Sequence, residues 1–280
     1  MKKRIFTGAG IAILTPMHED GSINFEEFGR LIDWQIENGT DAIITCGTTG
    51  ECATMSEEEH LECIRFCQKH VAGRVPVVAG AGSNDTAFAV EMVKECGNIG
   101  VDGLLVVTPY YNKTSQRGLV AHYTKLAEAT DLPIIMYSVP SRTGVNILPA
   151  TCHELSKVPN IVAIKEASGN IEQVSEIKAL CGDKLDVYSG EDGIITPTLS
   201  VGGIGVISVL SHLVPRETHE ICAKYFAGDV KGSAALQLKY LDLVKALFSD
   251  VSPIPVKAAM NLMGWNVGHC RMPLIDMTPE

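Results

Sequence analysis

The sequence predicts a (β/α)8 barrel, the TIM-barrel architecture of the α/β class, carrying a small C-terminal helical appendage. Three observations predict it. Eight short runs rich in β-branched residues recur along the chain, each followed by a glycine or polar turn and then a helical stretch, an alternation that implies parallel strands joined by right-handed crossovers. The length, 280 residues, suits one such barrel with an extension. Neither glycine-rich stretch, Gly80-Ala81-Gly82 or Gly202-Gly203-Ile204-Gly205, fits the G-x-G-x-x-G or G-K-[ST] phosphate motifs of the open doubly wound alternative.

The strands are expected at 11–14, 42–45, 75–79, 103–107, 133–137, 161–165, 185–189 and 205–209. Between them, over 24–38, 56–72, 86–97, 119–130, 149–156 and 170–181, apolar residues recur at three- and four-residue spacing, the period of a helix with one buried face. Ser56 before Glu57-Glu58-Glu59 forms an N-cap with Glu at the third helical position, and Asn84-Asp85-Thr86 opens another helix. Gly39, Gly73, Gly97 and Gly182 stand where helices are expected to stop. The opening MKKRIFTGAGIAILTP places three basic residues before apolar ones, but Thr7, Gly8 and Gly10 break the run. No small-residue cleavage site precedes His18-Glu19-Asp20, so the segment reads as the first strand rather than a leader. Residues 215–264 read as helical, and the expected division is a barrel over 1–224 and a helical region over 225–280. Met277-Thr278-Pro279-Glu280 has the form of a helix start, Thr as cap and Pro at the first position, which predicts an appendage shortened by one helix.

Composition narrows the function. Apolar residues make up 46% and charged residues 20%, the balance of an ordinary globular protein. A net charge of -10 with no basic block longer than Lys2-Lys3-Arg4 argues against a nucleic-acid surface. No stretch approaches the ~18 apolar residues that span a bilayer, so no membrane partner is expected. Nine cysteines, an odd number scattered through apolar segments, read as reduced, buried thiols of a cytoplasmic protein. His60, Cys63, Cys67 and His70 share one helical stripe. Ligands rising from a single helix face do not surround a zinc ion, so the stripe reads as packing and no metal is expected.

Lys165 is the most informative residue. Ile161-Val162-Ala163-Ile164 precede it, so it falls near the carboxyl end of a strand facing apolar layers on both sides, where charge is disfavoured. Loss of hydration favours the neutral amine, and a neutral amine attacks carbonyl carbon, which points to a Schiff base with a keto substrate. The plain alternative is a lysine that pairs with Glu166 or reaches out to solvent. Other unusual residues gather at the carboxyl ends of the expected strands, where barrel enzymes place their chemistry. They are Gly47-Thr48-Thr49-Gly50-Glu51, Thr108-Pro109-Tyr110-Tyr111-Asn112, Tyr137-Ser138-Val139-Pro140-Ser141-Arg142-Thr143-Gly144, Ser189-Gly190-Glu191-Asp192 and Val206-Ile207-Ser208. Any one of these could be a turn, a core aromatic or a solvated charge. Their joint occurrence at six strand ends favours a site.

In this order and spacing, G-T-T-G-E, T-P-Y-Y-N, Y-x-V-P-S-R-T-G, I-K-E-A-S-G-N and S-G-E-D resemble the dihydrodipicolinate synthase family, one of the pyruvate-dependent class I aldolases that also include N-acetylneuraminate lyase. The resemblance spans nearly the whole chain. G-T-T-G-E and the lysine are shared widely among these aldolases, whereas R-T-G after the tyrosine is more particular to the synthases. The resemblance implies a cytoplasmic lyase that joins pyruvate to L-aspartate 4-semialdehyde, the first committed step of the diaminopimelate route to lysine. It implies no cofactor beyond the covalent pyruvate imine on Lys165. By the same resemblance Tyr137 is the general acid/base, served by a relay through Thr48 and Tyr111, the latter reaching in from a neighbouring subunit. Thr49 and the turn N–H groups hold the pyruvate carboxylate, Arg142 holds the semialdehyde carboxylate, and Gly190 and the carbonyl of Ile207 line the pyruvate pocket. A homo-oligomer, a tetramer built as a dimer of dimers, is implied.

The family's lysine-inhibition cleft matches Cys52, Ala53, Glu57, His60, Asn84, Phe88 and Tyr110 here. Inhibited members carry His in place of Glu57 and Glu in place of Phe88, so weak or absent inhibition is expected. A second departure is Ser138, where the family commonly has Asn; the hydroxyl is shorter and offers fewer donors. The rival within the same chemistry is a Schiff-base lyase acting on a sugar acid, which would need hydroxyl-binding groups in place of Arg142. A rival from another class is an idle barrel that senses a small acid without a reactive Lys165. A metal-dependent aldolase is disfavoured, since no His/Asp/Glu cluster with ligand spacing stands at the strand ends.

Overall fold

The computed structural model describes residues 2–278. In chain order the elements are β1 (Gly8–Ala12), α1 (Phe25–Glu37), β2 (Ala42–Thr45), α2 (Glu57–Val71), β3 (Val77–Gly80), α3 (Thr86–Ile99), β4 (Gly103–Val107), α4 (Gln116–Ala127), β5 (Ile134–Ser138), α5 (Pro140–Thr143), α6 (Pro149–Leu155), β6 (Ile161–Glu166), α7 (Ile171–Cys181), β7 (Asp186–Ser189), α8 (Ile195–Ser200), β8 (Gly205–Ser208), α9 (Pro215–Phe226), α10 (Val230–Lys239), α11 (Leu241–Leu247) and α12 (Ile254–Leu262). The eight strands run parallel in sequence order and close, β8 pairing with β1 through Ala9↔Val206. The (β/α)8 barrel expected from the sequence is therefore the fold.

Local chemistry explains the boundaries. Ser56 caps α2 in a full capping box: its hydroxyl accepts from Glu59 N while the Glu59 carboxylate accepts from Ser56 N. Asn24, Asp85 and Asn170 cap α1, α3 and α7 with side-chain oxygens, satisfying N–H groups left over at each helix start. Several boundaries shift, β3 to Val77–Gly80 and α4 to Gln116–Ala127 among them. Helix α3 runs through Gly97 and stops at Gly100, whose φ of +84° is the left-handed conformation glycine adopts freely. Strand β1 begins at Gly8, earlier than the β-branched residues suggest, and within it Gly10 faces Ile44 and Phe6 with no room for a side chain.

Two apolar layers carry the barrel. Inside lie Ala12, Ile44, Val78, Leu105, Ile135, Ala163, Tyr188 and Ile207. Outside, Ile11, Ile43, Leu104, Ile134 and Ile164 meet the helices. The amino-terminal end is plugged. Phe6 stacks on Tyr188 with ring centres 4.4 Å apart, and Lys2 Nζ donates to the carbonyls of Ser156, Val158 and Ile161. Chemistry is left to the carboxyl-terminal end.

One irregularity decides what faces that end. Between β5 and β6 the register runs Ile134↔Ile161 and then Ile135↔Ala163, so Val162 is a bulge. Val162 and Ala163 are consecutive residues packed into the interior cluster, and the alternation is reset so that Lys165 turns inward as the partner of Tyr137. Without the extra residue, Tyr137 would pair with Ile164 and Lys165 would face the helices, since a one-residue slip exchanges the two faces of a strand.

After the barrel, α9 packs on α8, α10 and β1, and α11 on α12. The segment after α12 folds back beneath the β2 loop, where Arg271 N donates to Glu51 Oε2. The helix start expected at 277–280 falls partly outside the described residues. Among the described residues no helix is long and apolar enough to cross a membrane.

Candidate active site

Lys165 ends β6 inside the barrel, 6% exposed. Its Nζ lies 4.3 Å from the centre of the Tyr137 ring, in a face-on approach that suits a cation and an aromatic quadrupole. Among the described residues it has no hydrogen bond or ion pair. The plain alternative, pairing with Glu166, is not realised. Glu166 is the next residue along the strand and points the other way, accepting from Gln173 Nε2 at 2.8 Å and from Ser168 N at 3.2 Å. Burial pushes the carboxyls of Glu166, Glu191 and Asp192 upward, with the charge of Lys165 opposing the rise at Glu191 and Asp192.

The loop after β2 is a tight turn with two uncommitted donors. Gly50 N donates to the carbonyl of Gly47 and Glu51 N to that of Thr48, both at 3.1 Å, and Glu51 takes a left-handed φ of 57°. Among the described residues the N–H groups of Thr48 and Thr49 have no partner in the chain, the arrangement that presents donors to a carboxylate. Thr49 is buried, and Thr48 lines a cleft of about 410 Å³ that also takes in Val107, Val139 and Arg142. Arg142 sits on the single turn α5, begun by Pro140 and ended by Gly144. One of its nitrogens, Nη2, donates to the carbonyl of Ser252 at the foot of the appendage, so the guanidinium is tethered at one edge.

Ser138, the departure from the family pattern, is not left short of partners. Its hydroxyl donates to Asn146 Oδ1 at 3.1 Å and accepts from Ile147 N. Asn146 in turn exchanges hydrogen bonds with Gln173, which reaches Glu166. This chain of side chains runs along the outer wall behind the rungs Tyr137↔Lys165 and Ser138↔Glu166.

Two other expected residues stand differently. An added Cβ at Gly190 would lie 2.5 Å from the Cβ of Ala167 and 3.0 Å from the carbonyl of Glu166, so the glycine is needed first for the close β6–β7 loop contact. Tyr111 is 92% exposed with a φ of 69°. Among the described residues no hydrogen bond joins Thr48 or Tyr111 to Tyr137, so the relay is not assembled within one chain. Ile207 lies in the interior cluster with Tyr137.

Of the residues matched to a regulatory cleft, Cys52, Ala53, Glu57, His60, Phe88 and Tyr110 line the same 410 Å³ cleft as Arg142. Asn84 does not; its carbonyl accepts from Asn112 Nδ2. His60 Nε2 donates to the carbonyl of Gly80, and burial holds its pKa below the ordinary value. The stripe it begins does not converge: Cys63 and Cys67 are buried in the core and His70 lies against Asp33. A larger depression of about 490 Å³ lies at the plugged end, lined by Lys3, Glu128 and Asn160, far from these side chains.

Sequence reading missed the groups that hold the site from behind. Glu51 Oε1 lies 2.5 Å from Lys257 Nζ, both side chains being almost fully buried. Asp192 Oδ2 accepts from Val209 N and Leu210 N. The available signal was the charge itself: a Glu inside a glycine-threonine turn and a Lys inside an apolar helix both need partners.

The comparisons with known proteins agree with this geometry. The model of the dihydrodipicolinate synthetase family matches residues 5–280. A 4-hydroxy-tetrahydrodipicolinate synthase of Lachnoclostridium phytofermentans is 57% identical over 98% of this chain and 93% of its own length. Another from Caldicellulosiruptor saccharolyticus is 58% identical over 99% of this chain and 93% of its own. The solved dihydrodipicolinate synthase of Aquifex aeolicus superposes with a TM-score of 0.95 at 42% identity, covering 98% of this chain and 94% of that one. The Cyanidioschyzon merolae enzyme, solved with lysine bound, gives 0.96 at 42% identity over 99% of this chain and 95% of its own. With a closed eight-stranded barrel and a buried lysine on its sixth strand facing a tyrosine on its fifth, the chain belongs to the dihydrodipicolinate synthetase family.

Proposed function

We propose that this protein condenses pyruvate with L-aspartate 4-semialdehyde to give 4-hydroxy-tetrahydrodipicolinate, the opening step of the diaminopimelate route to lysine, through an imine on Lys165. The observation that carries the reading is the Tyr137↔Lys165 rung, which sets an unpaired amine against a phenol inside a closed barrel. Lys165 attacks the ketone of pyruvate, and loss of water gives the imine. Protonated, the imine draws electrons from the methyl group, which loses a proton to form the enamine. The enamine carbon attacks the aldehyde, and the amine of the second substrate closes the ring and expels Lys165. No cofactor is needed, because the imine is itself the electron sink.

Tyr137 serves as the proton donor and acceptor beside the imine. Thr49 and the free N–H groups of its turn hold the pyruvate carboxylate, and the planar fork of Arg142 holds that of the semialdehyde. Gly190 and Ile207 complete the pyruvate pocket. Tyr111 enters the site of a second copy, a reading supported by its 92% exposure and by a conformation disfavoured for a non-glycine residue. There it would complete the relay from Thr48 to Tyr137, in a dimer that pairs into a tetramer in the cytoplasm.

The test is a substrate comparison. Condensation with the semialdehyde, and no cleavage of N-acetylneuraminate or 2-keto-3-deoxy sugar acids, is expected. Cleavage of a sugar acid without condensation would overturn the reading.

A further inference from the structure

We infer that Lys257 is a positioning residue for pyruvate binding, acting through Glu51 by cancelling a buried negative charge directly behind the carboxylate cradle. The inference rests on the assignment of the Thr48–Thr49 turn as that cradle.

Glu51 follows the cradle turn in sequence and its N–H closes that turn on the carbonyl of Thr48. Its side chain is 1% exposed and that of Lys257, in α12, is 3% exposed. Lys257 has no other acidic partner among the described residues; its remaining hydrogen bond goes to the carbonyl of His269. The second carboxylate oxygen of Glu51 accepts from Arg271 N at 2.8 Å. Arg271 pairs its guanidinium with Glu59, with further hydrogen bonds to the carbonyls of Thr54 and Gly21, and adds a weaker favourable charge to Glu51. Among the described residues Lys257 is therefore the one cation paired directly with Glu51.

The consequence is electrostatic. An ionised carboxylate beneath the turn opposes the arrival of an anionic keto acid, and the interior screens that opposition less than water would. With Lys257 in place the pair presents no net charge to the cradle. The appendage thus touches both substrate-carboxylate sites: Lys257 neutralises the group behind one, and Ser252 tethers the arginine of the other.

A merely structural ion pair would suffer equally from loss of either partner. Charge cancellation predicts an asymmetry. Lys257→Met should raise the pyruvate KM about tenfold, with kcat changed far less. Glu51→Gln, which keeps an acceptor for Arg271 N, should not raise it. The double variant, uncharged at both positions, should return the pyruvate KM to within about threefold of wild type. Steady-state kinetics on the full chain, with thermal melts of each variant, read this out. A folded K257M with a wild-type pyruvate KM overturns the inference, and so does a double variant with a KM raised as far as in K257M. If K257M does not fold, a double variant with KM raised about tenfold or more overturns it alone. Borohydride trapping of pyruvate separates this inference from the site reading. No adduct in wild type removes the site reading, whereas an adduct with unshifted pyruvate dependence in K257M removes only the role of Lys257.

Discussion

Tyr137 and Lys165 are register partners across the β5–β6 ladder, and the lysine amine lies 4.3 Å from the centre of the tyrosine ring. They meet because Val162 bulges out of the pairing and turns the end of β6 inward. In the proposed role the phenol protonates the departing hydroxide during imine formation and takes up the methyl proton afterwards. Tyr137→Phe keeps the ring and removes the proton. We expect kcat to fall by about 10²–10³, with pyruvate still trapped on Lys165, only more slowly. Rates within a factor of a few of wild type would contradict the assigned role.

The proposed role of Arg142 distinguishes the two substrates. Arg142→Ala removes charged hydrogen bonds to one carboxylate, and kcat/KM for the semialdehyde should fall about 100-fold, near 3 kcal/mol. The pyruvate KM should stay close to wild type. An equal rise in both KM values would show that the residue acts on the whole cleft rather than on one substrate. The same variant separates a synthase from a sugar-acid lyase, whose substrate would not depend on a cation here.

Feedback inhibition by lysine is expected to be weak or absent. The cleft beside Arg142 holds Phe88, Met55 and Met92, and burial pushes the pKa of His60 down against the opposing pull of its bond to the Gly80 carbonyl. Glu57 is the carboxylate among its lining residues. An α-ammonium and a side-chain ammonium entering together would leave one charge without a carboxylate partner in the cleft. Inhibition at micromolar lysine in a steady-state assay would refute this, and Phe88→Glu is expected to increase sensitivity.

His212 predicts part of the acid lability. It is fully buried, with Nε2 accepting from Leu14 N and Nδ1–H donating to the carbonyl of Val209. Burial holds its pKa down at about 4, against 6.5 for the free side chain. The folded pKa lies below the unfolded one, so its contribution is intact above 6.5 and is lost as pH falls toward 4. The full loss is on the order of 3 kcal/mol. Chemical denaturation across that window should show stability falling with pH, less steeply in His212→Gln. A pH-independent stability between 7 and 4 would contradict it.

Much of this molecule is legible from its residues. Strands β2 and β4 fall on their apolar runs, Ser56 announces α2, and Lys165 stands out because a charge follows four apolar residues. What is not legible is geometric. The inward turn of Lys165 depends on the bulge at Val162, and both possible alternations of Ile161-Val162-Ala163-Ile164 are equally apolar, so the pattern cannot choose between them. Glu51 and Lys257 are visible as misplaced charges, yet their pairing spans most of the chain and exists only once the appendage has folded back. The sufficiency of Ser138 depends in the same way on Asn146 and Gln173, which belong to a loop and a helix whose meeting no local pattern records.

The most direct measurement is reductive trapping. Incubating the protein with pyruvate and borohydride, weighing it intact and mapping its peptides, should give one added pyruvate-derived group per chain on Lys165 and none in Lys165→Met. An unchanged mass, or an adduct on any other lysine, would contradict the claim that this amine is the one open to the substrate.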